Sequence, residues 1–170
     1  MNISWTSRKL FNSGVVDNAS GQIVFNIHTP FSLGPRVTTI ADARGQVVAE
    51  YKHRLAYDTV TYQGQTHLVS DWLPKDGFLS TSRSLHAPNG KTYVWKETTG
   101  GGFKLVDQQT DATVAETHTA NLGIFSARHN VGIEADAAIV PYLDLFVLSF
   151  LICERGRRAR RVAASSATAS

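Results

Sequence analysis

Apolar and polar positions along the first two-thirds of the chain alternate in short runs and lack helical spacing. The runs are rich in Val, Ile, Thr, Tyr and Phe and are separated by turn signals, the pattern of an all-β barrel or sandwich. Strands are predicted over Ile23–Ile27, Arg36–Ile40 and Gln46–Tyr51, the last two joined by the turn Asp42-Ala-Arg-Gly45. Asp58–Tyr62 and Gln65–Val69 flank Gln63-Gly64, a tight hairpin. Ser82–His86 and Lys91–Lys96 flank Ala87-Pro-Asn-Gly90, where Asn-Gly accepts positive φ at low cost. Further strands are expected at Phe103–Val106, Thr113–His118 and His129–Ile133, with Gly100-Gly-Gly102 as a loop. Three segments beginning at Asp17, Asp42 and Asp107 share one outline, an Asp and small turn residues ahead of a β-branched strand. This reads as a repeated strand–turn–strand unit in a meander.

The pattern changes at Tyr142-Leu-Asp-Leu-Phe-Val-Leu-Ser-Phe-Leu-Ile-Cys153. As a helix this run spans roughly 18 Å, short of the ~30 Å of a bilayer core. It also holds Asp144, whose insertion would cost about 2.5–3.5 kcal/mol mid-membrane. Around a helical wheel it is apolar on nearly every side, so protein must enclose it. Leu143, Leu145, Phe146, Val147, Leu148, Phe150, Leu151 and Ile152 are therefore the predicted core residues of the helix. Pro141 suits its first turn, Asp144 the positive end of its dipole, and the arginines beyond Cys153 the negative end. A dozen or so short strands followed by such a helix suggest a barrel with a helix through it.

Asp71-Trp-Leu-Pro-Lys-Asp-Gly-Phe-Leu-Ser-Thr-Ser-Arg-Ser-Leu85, Ala87–Lys96 and Tyr142–Arg155 resemble a fungal family known as a domain of unknown function. The resemblance covers about Asn12 to Arg161. That family in turn resembles the tubby C-terminal-like superfamily of tubby, the phospholipid scramblases and the plant LURP-one-related proteins. The resemblance implies a mainly β fold: a closed antiparallel β-barrel of about 12 strands enclosing a hydrophobic C-terminal α-helix. On this reading residues 1–161 form one domain with its helix at about 140–155, and 162–170 are a disordered tail. Tubby binds phosphoinositides through basic residues, but no residue here matches that site.

Charge alters the picture in one place. The net charge is +3. Arg155, Arg157, Arg158, Arg160 and Arg161 supply five positive charges, so the remainder carries −2. The body is near neutral and the basic character is local, so the charge is no argument for a nucleic-acid-binding face, and a monomer without nucleic acid is expected. The one cysteine, Cys153, excludes an internal disulfide and reads as a small apolar core residue in a cytoplasmic protein.

Chemistry is sparse. His28, His53, His67, His86, His118 and His129 show no metal-ligand spacing, so no metal or other cofactor is expected. Neither a Gly-x-Ser-x-Gly elbow nor a phosphate loop occurs, and nothing selects a carboxylate pair from Asp58, Asp71 and Asp76. No catalytic residue is assigned. In Asp71–Phe78, Trp72 and Phe78 are expected to tuck into the core at a barrel corner, the alternative being an exposed recognition loop. The expected function is a non-enzymatic binding or scaffold domain, its five arginines read either as a solvated helix end that complements the dipole or as a peripheral contact to anionic membrane phospholipid. The alternatives are a protein-partner or small-ligand domain using the barrel exterior, or an enzyme of unrecognised type.

Overall fold

A computed structural model describes residues 1–78, 80–118 and 130–167. Twelve strands form one antiparallel sheet: β1 (Asn2–Trp5), β2 (Ser13–Asp17), β3 (Ile23–His28), β4 (Arg36–Asp42), β5 (Val47–His53), β6 (Thr59–Tyr62), β7 (Gln65–Leu68), β8 (Arg83–His86), β9 (Thr92–Glu97), β10 (Phe103–Asp107), β11 (Thr113–His118) and β12 (Gly132–Ala135). A one-turn helix, α1 (Val69–Trp72), links β7 to β8. A 3₁₀ turn over Ala137–Tyr142 leads into α2 (Leu143–Ala167). The predicted strand ending at Ile133 is displaced to Gly132–Ala135, and the start of that prediction, His129, lies outside the described residues.

Inward positions alternate with outward ones, as a sheet with one buried face requires. Ile3, Trp5, Ile40, Tyr51, Val60, Leu85, Trp95 and Leu105 are buried and form one core with α2. All eight predicted core residues of the helix are buried. Phe150 meets the rings of Trp5, Phe103 and Trp95 at 5.3, 5.9 and 6.0 Å, so strands on both sides of β12 reach it. Tyr93 packs edge-on to Phe146 at 5.3 Å. Ser149, buried within the apolar run, accepts from Trp95 Nε1 at 2.9 Å and donates to the Phe146 carbonyl. At the helix start Tyr62 donates to Asp144 at 3.3 Å. The stretch Ala137–Ala167 is long and apolar enough to cross a membrane by length and composition, but 67% of its apolar window is buried within the protein.

The expected closed barrel is not formed. The sheet runs β7-β6-β5-β4-β3-β2-β1-β12-β11-β10-β9-β8, with β7 and β8 as its two edges. Closure needs those two strands to exchange backbone hydrogen bonds. The outer edge of β8 is instead occupied by its own connection: Ser84 N–H donates to the Pro74 carbonyl at 2.9 Å, Asp76 N–H to Ser82 at 3.1 Å, and Lys75 bridges Arg83. Val69 from α1 and Leu73 just after it are buried beside this seam. The result is an open sheet curled around the helix. Of the two aromatics expected in the core here, Trp72 is half-buried against Tyr62 and Phe78 is 96% exposed.

The three Asp-led segments are one device used three times. Gly21, Gly45 and Asp111 each donate a backbone N–H to the carbonyl of Asp17, Asp42 or Asp107, and each adopts positive φ. Each Asp side chain accepts from two backbone N–H groups of its own turn. Each hairpin then slips register by a bulge, at Val15/Val16, Ile40/Ala41 and Leu105/Val106. Bulges increase local twist, which helps bend a wide sheet round a helix.

The helix also differs in extent from the sequence reading. It continues past Arg155 to Ala167, so residues 162–167 of the expected tail are exposed helix, and 168–170 lie outside the described residues.

Candidate functional site

An uninterrupted meander places its connections alternately at two ends. One end carries tight turns after β2, β4, β6, β8 and β10, together with the entry to α2. Asp17, Asp42, Asp107, Asp111, Asp136 and Asp144 lie there, accompanied by Arg44 and Lys91. The other end gathers the longer connections after β1, β3, β5, β7 and β9, and α2 leaves by it. Arg36, Arg54, Lys75, Arg83 and the five helix arginines collect at this loop end. The molecule is thus electrically polar along its axis, and long loops on a fixed scaffold are where binding residues concentrate.

The five predicted arginines do not act as one patch. Glu154, 3% exposed, accepts from Arg157 at 2.7 and 2.9 Å and from Arg158 at 2.7 Å. Arg157 also donates to the Gly101 carbonyl and stacks on Phe103 at 5.6 Å. Arg160 pairs with Glu97 across to β9. Arg161 is exposed, and its guanidinium reaches over Gly101. The β9–β10 turn, with Gly101 at φ +79°, leaves room for this approach where a side chain would not. Three of the five therefore have carboxylate partners, and two of these, Arg157 and Arg160, also tie the helix exit to the sheet and its β9–β10 turn.

Arg155 is different. Its guanidinium sits 5.8 Å from the Tyr51 ring and lines a cleft of about 600 Å³ with Leu33, Pro35, Arg36, Arg54 and Leu55. None of Arg36, Arg54 and Arg155 pairs with a carboxylate among the described residues. Arg54 donates to Tyr57 Oη at 3.0 Å, and its Nε is buried without a partner. The neighbouring carboxylate, Asp58, is already engaged: Tyr51 Oη donates to it at 2.5 Å, His53 Nδ1 lies 2.7 Å away, and Arg54 N–H donates at 3.1 Å. Burial alone would raise the pKa of Asp58, but these hydrogen bonds outweigh it and hold the carboxyl below its usual range. Burial first, then the bond to Asp58, pushes the Tyr51 phenol well above its usual range.

Around these clefts stand apolar tips. Phe31 is 90% exposed, Leu33 97%, Phe78 96%, and Leu55 fully. Every other large apolar side chain among the described residues is at most 66% exposed, so the four extremes share one end. Sequence reading passed over loops 29–35 and 54–58. The available signal was Thr29-Pro-Phe-Ser-Leu-Gly-Pro35, which sets two large apolar residues in a Pro- and Gly-punctuated loop.

The other candidates stay apart. Among the described residues no group of three or more His, Cys, Asp or Glu is placed to hold a metal ion. Asp71 and Asp76 are exposed, the latter bonded to Ser84. Cys153 is buried, and burial foremost pushes its thiol up to about 12.

None of the curated proteins matches the chain. An X-ray structure of an Arabidopsis thaliana protein, AT5G01750, is similar at 15% identity over 86% of this chain and 88% of that one, with a TM-score of 0.43, a likeness too distant to argue from. The match that covers most of the sequence, the loop end and the core helix included, is to a family over residues 8–159, and the chain belongs to that family, the family of unknown function DUF6593.

Proposed function

We propose that this protein is a non-enzymatic binding module that attaches peripherally to anionic membrane surfaces, from the cytoplasmic side, through its loop end. The observation that carries the reading is that the exposed apolar tips Phe31, Leu33, Leu55 and Phe78 all belong to loops of one end, which also carry basic side chains. Exposed apolar groups set among charges mark interaction sites. A lipid surface rewards both components: burial is worth about 1.5–3 kcal/mol per large apolar side chain. Each basic residue near an anionic surface adds about 1 kcal/mol. Neither suffices alone, and stable attachment takes two such signals together. The tubby-like kinship and fungal source implied by the sequence resemblance belong to this proposal, and rest on the motif blocks of residues 71–96 and 142–155.

Vesicle co-sedimentation tests it. Full-length protein should pellet with phosphatidylcholine vesicles containing phosphatidylserine and remain in solution with phosphatidylcholine alone. The triple variant Phe31→Ser, Leu33→Ser, Leu55→Ser should lose most of that binding while its thermal melt stays unchanged. Equal binding of the triple variant and the parent, or no binding by the parent, overturns the reading.

A further inference from the structure

The cleft between the β3–β4 and β5–β6 loops has a chemistry more selective than a charged surface needs. Three guanidinium groups, Arg36, Arg54 and Arg155, line it without carboxylate partners among the described residues, while Arg157, Arg158 and Arg160 nearby all have them. Two of the three are held by aromatic rings: Arg54 over Tyr57 at 5.3 Å and Arg155 over Tyr51 at 5.8 Å. Stacking fixes a guanidinium plane and leaves its N–H groups directed outward. Arg54 Nε is buried with no acceptor among the described residues, a condition that costs free energy. The neighbouring carboxylate, Asp58, is bonded to Tyr51, His53 and the Arg54 backbone, and it makes no ion pair with any of the three guanidinium groups among the described residues. The walls beyond the arginines are apolar, from Leu33, Pro35 and Leu55.

We propose that this cleft is a binding site for a phosphate monoester, whose dianionic head is held by Arg36, Arg54 and Arg155 while the group esterified to it lies against Leu33, Pro35 and Leu55. A monoester carries about −1.5 to −2 charges at pH 7 and three strong acceptor oxygens, against one diffuse negative charge on a phosphodiester. Guanidinium groups bind such oxygens in pairs. The volume of about 600 Å³ holds a phosphate with a substantial organic substituent. The proposal deepens the membrane reading and rests on it only for the lipid source of the monoester.

The test uses full-length protein, the double variant Arg36→Gln, Arg155→Gln, and Arg44→Gln at the opposite end as control. Inorganic phosphate is titrated and followed by NMR shifts of backbone amides and arginine Nε–H groups. Shifts should saturate and be confined to residues 33–36, 53–55 and 155, weaken at least tenfold in the double variant and stay unchanged in Arg44→Gln. Phosphatidylcholine vesicles carrying phosphatidic acid, a monoester lipid, are compared with vesicles carrying phosphatidylserine at matched surface charge. A severalfold preference for phosphatidic acid that vanishes in the double variant supports the site and a lipid source. Saturable phosphate binding without that preference supports the site with a soluble monoester as its ligand. Absence of saturable phosphate shifts in the cleft overturns the proposal, even if vesicles carrying phosphatidylserine still bind through the apolar tips.

Discussion

Replacing Phe150 by alanine removes the side chain on which the sheet converges. Phe150 is 2% exposed and touches three aromatic rings, Trp5, Trp95 and Phe103, from β1, β9 and β10. A buried Phe→Ala change costs about 3–5 kcal/mol in transfer and cavity terms. Three ring partners place this site in the upper half of that range, at about 4–5 kcal/mol, because each aromatic pair adds roughly 0.5–1.5 kcal/mol beyond its area. For a chain of this size each kcal/mol lowers Tm by about 2–4 °C, so the variant should melt about 8–20 °C lower. A native domain is stable by only about 5–15 kcal/mol, so the loss brings the protein near its folding limit. Urea and thermal melts followed by tryptophan fluorescence read this directly, since Trp5 and Trp95 are the neighbours being disturbed. Phe78→Ala serves as the internal comparison: at 96% exposure it should stay within about 0.5 kcal/mol of the parent. If Phe150→Ala falls within 1 kcal/mol of Phe78→Ala, α2 is not the core of the sheet and the reasoning fails.

Acid should expose the role of Asp58. Its pKa is depressed in the folded protein, so the stability its ionised form contributes is fully present above the unfolded value of about 3.9 and is lost as pH falls through the lower folded value. The gap in urea midpoint between parent and Asp58→Asn should therefore be constant near neutrality and shrink below about pH 4; a gap that widens in acid would contradict the assignment. Cys153, buried with its thiol pushed up to about 12, should react with a thiol-specific disulfide reagent only at the rate of unfolding, and labelling within seconds in native buffer would place the helix elsewhere.

The helix was legible in the sequence because its apolar residues face every direction, and that demands an enclosing shell whatever the shell's topology. The tight turns were legible at Asp42–Gly45, Gln63-Gly64 and Asn89-Gly90 because positive φ demands particular residues. Closure of the sheet was not. Strand count and length are the same for an open and a closed sheet, and the deciding contacts, Pro74–Asp76 along β8, are backbone bonds that any side chains could make. The partners of the arginines were hidden for a related reason. Run together in sequence, the five side chains fan around a helix, and Glu154 and Glu97 pair with three of them, the latter from a strand far away in the chain. Arg36 and Arg54 carried no local signature. They join Arg155 only because β4 begins and β5 ends where α2 leaves the sheet.

The central claim is that the loop end, not the turn end, meets an anionic lipid surface. Hydrogen–deuterium exchange of the full-length protein, with and without phosphatidylcholine vesicles containing phosphatidylserine, tests it most directly. The account predicts slowed exchange in residues 29–36 and 53–58 and no change in the turns at 18–21 and 43–46. Protection at the turn end, or none at the loop end while the protein is vesicle-bound, would contradict it.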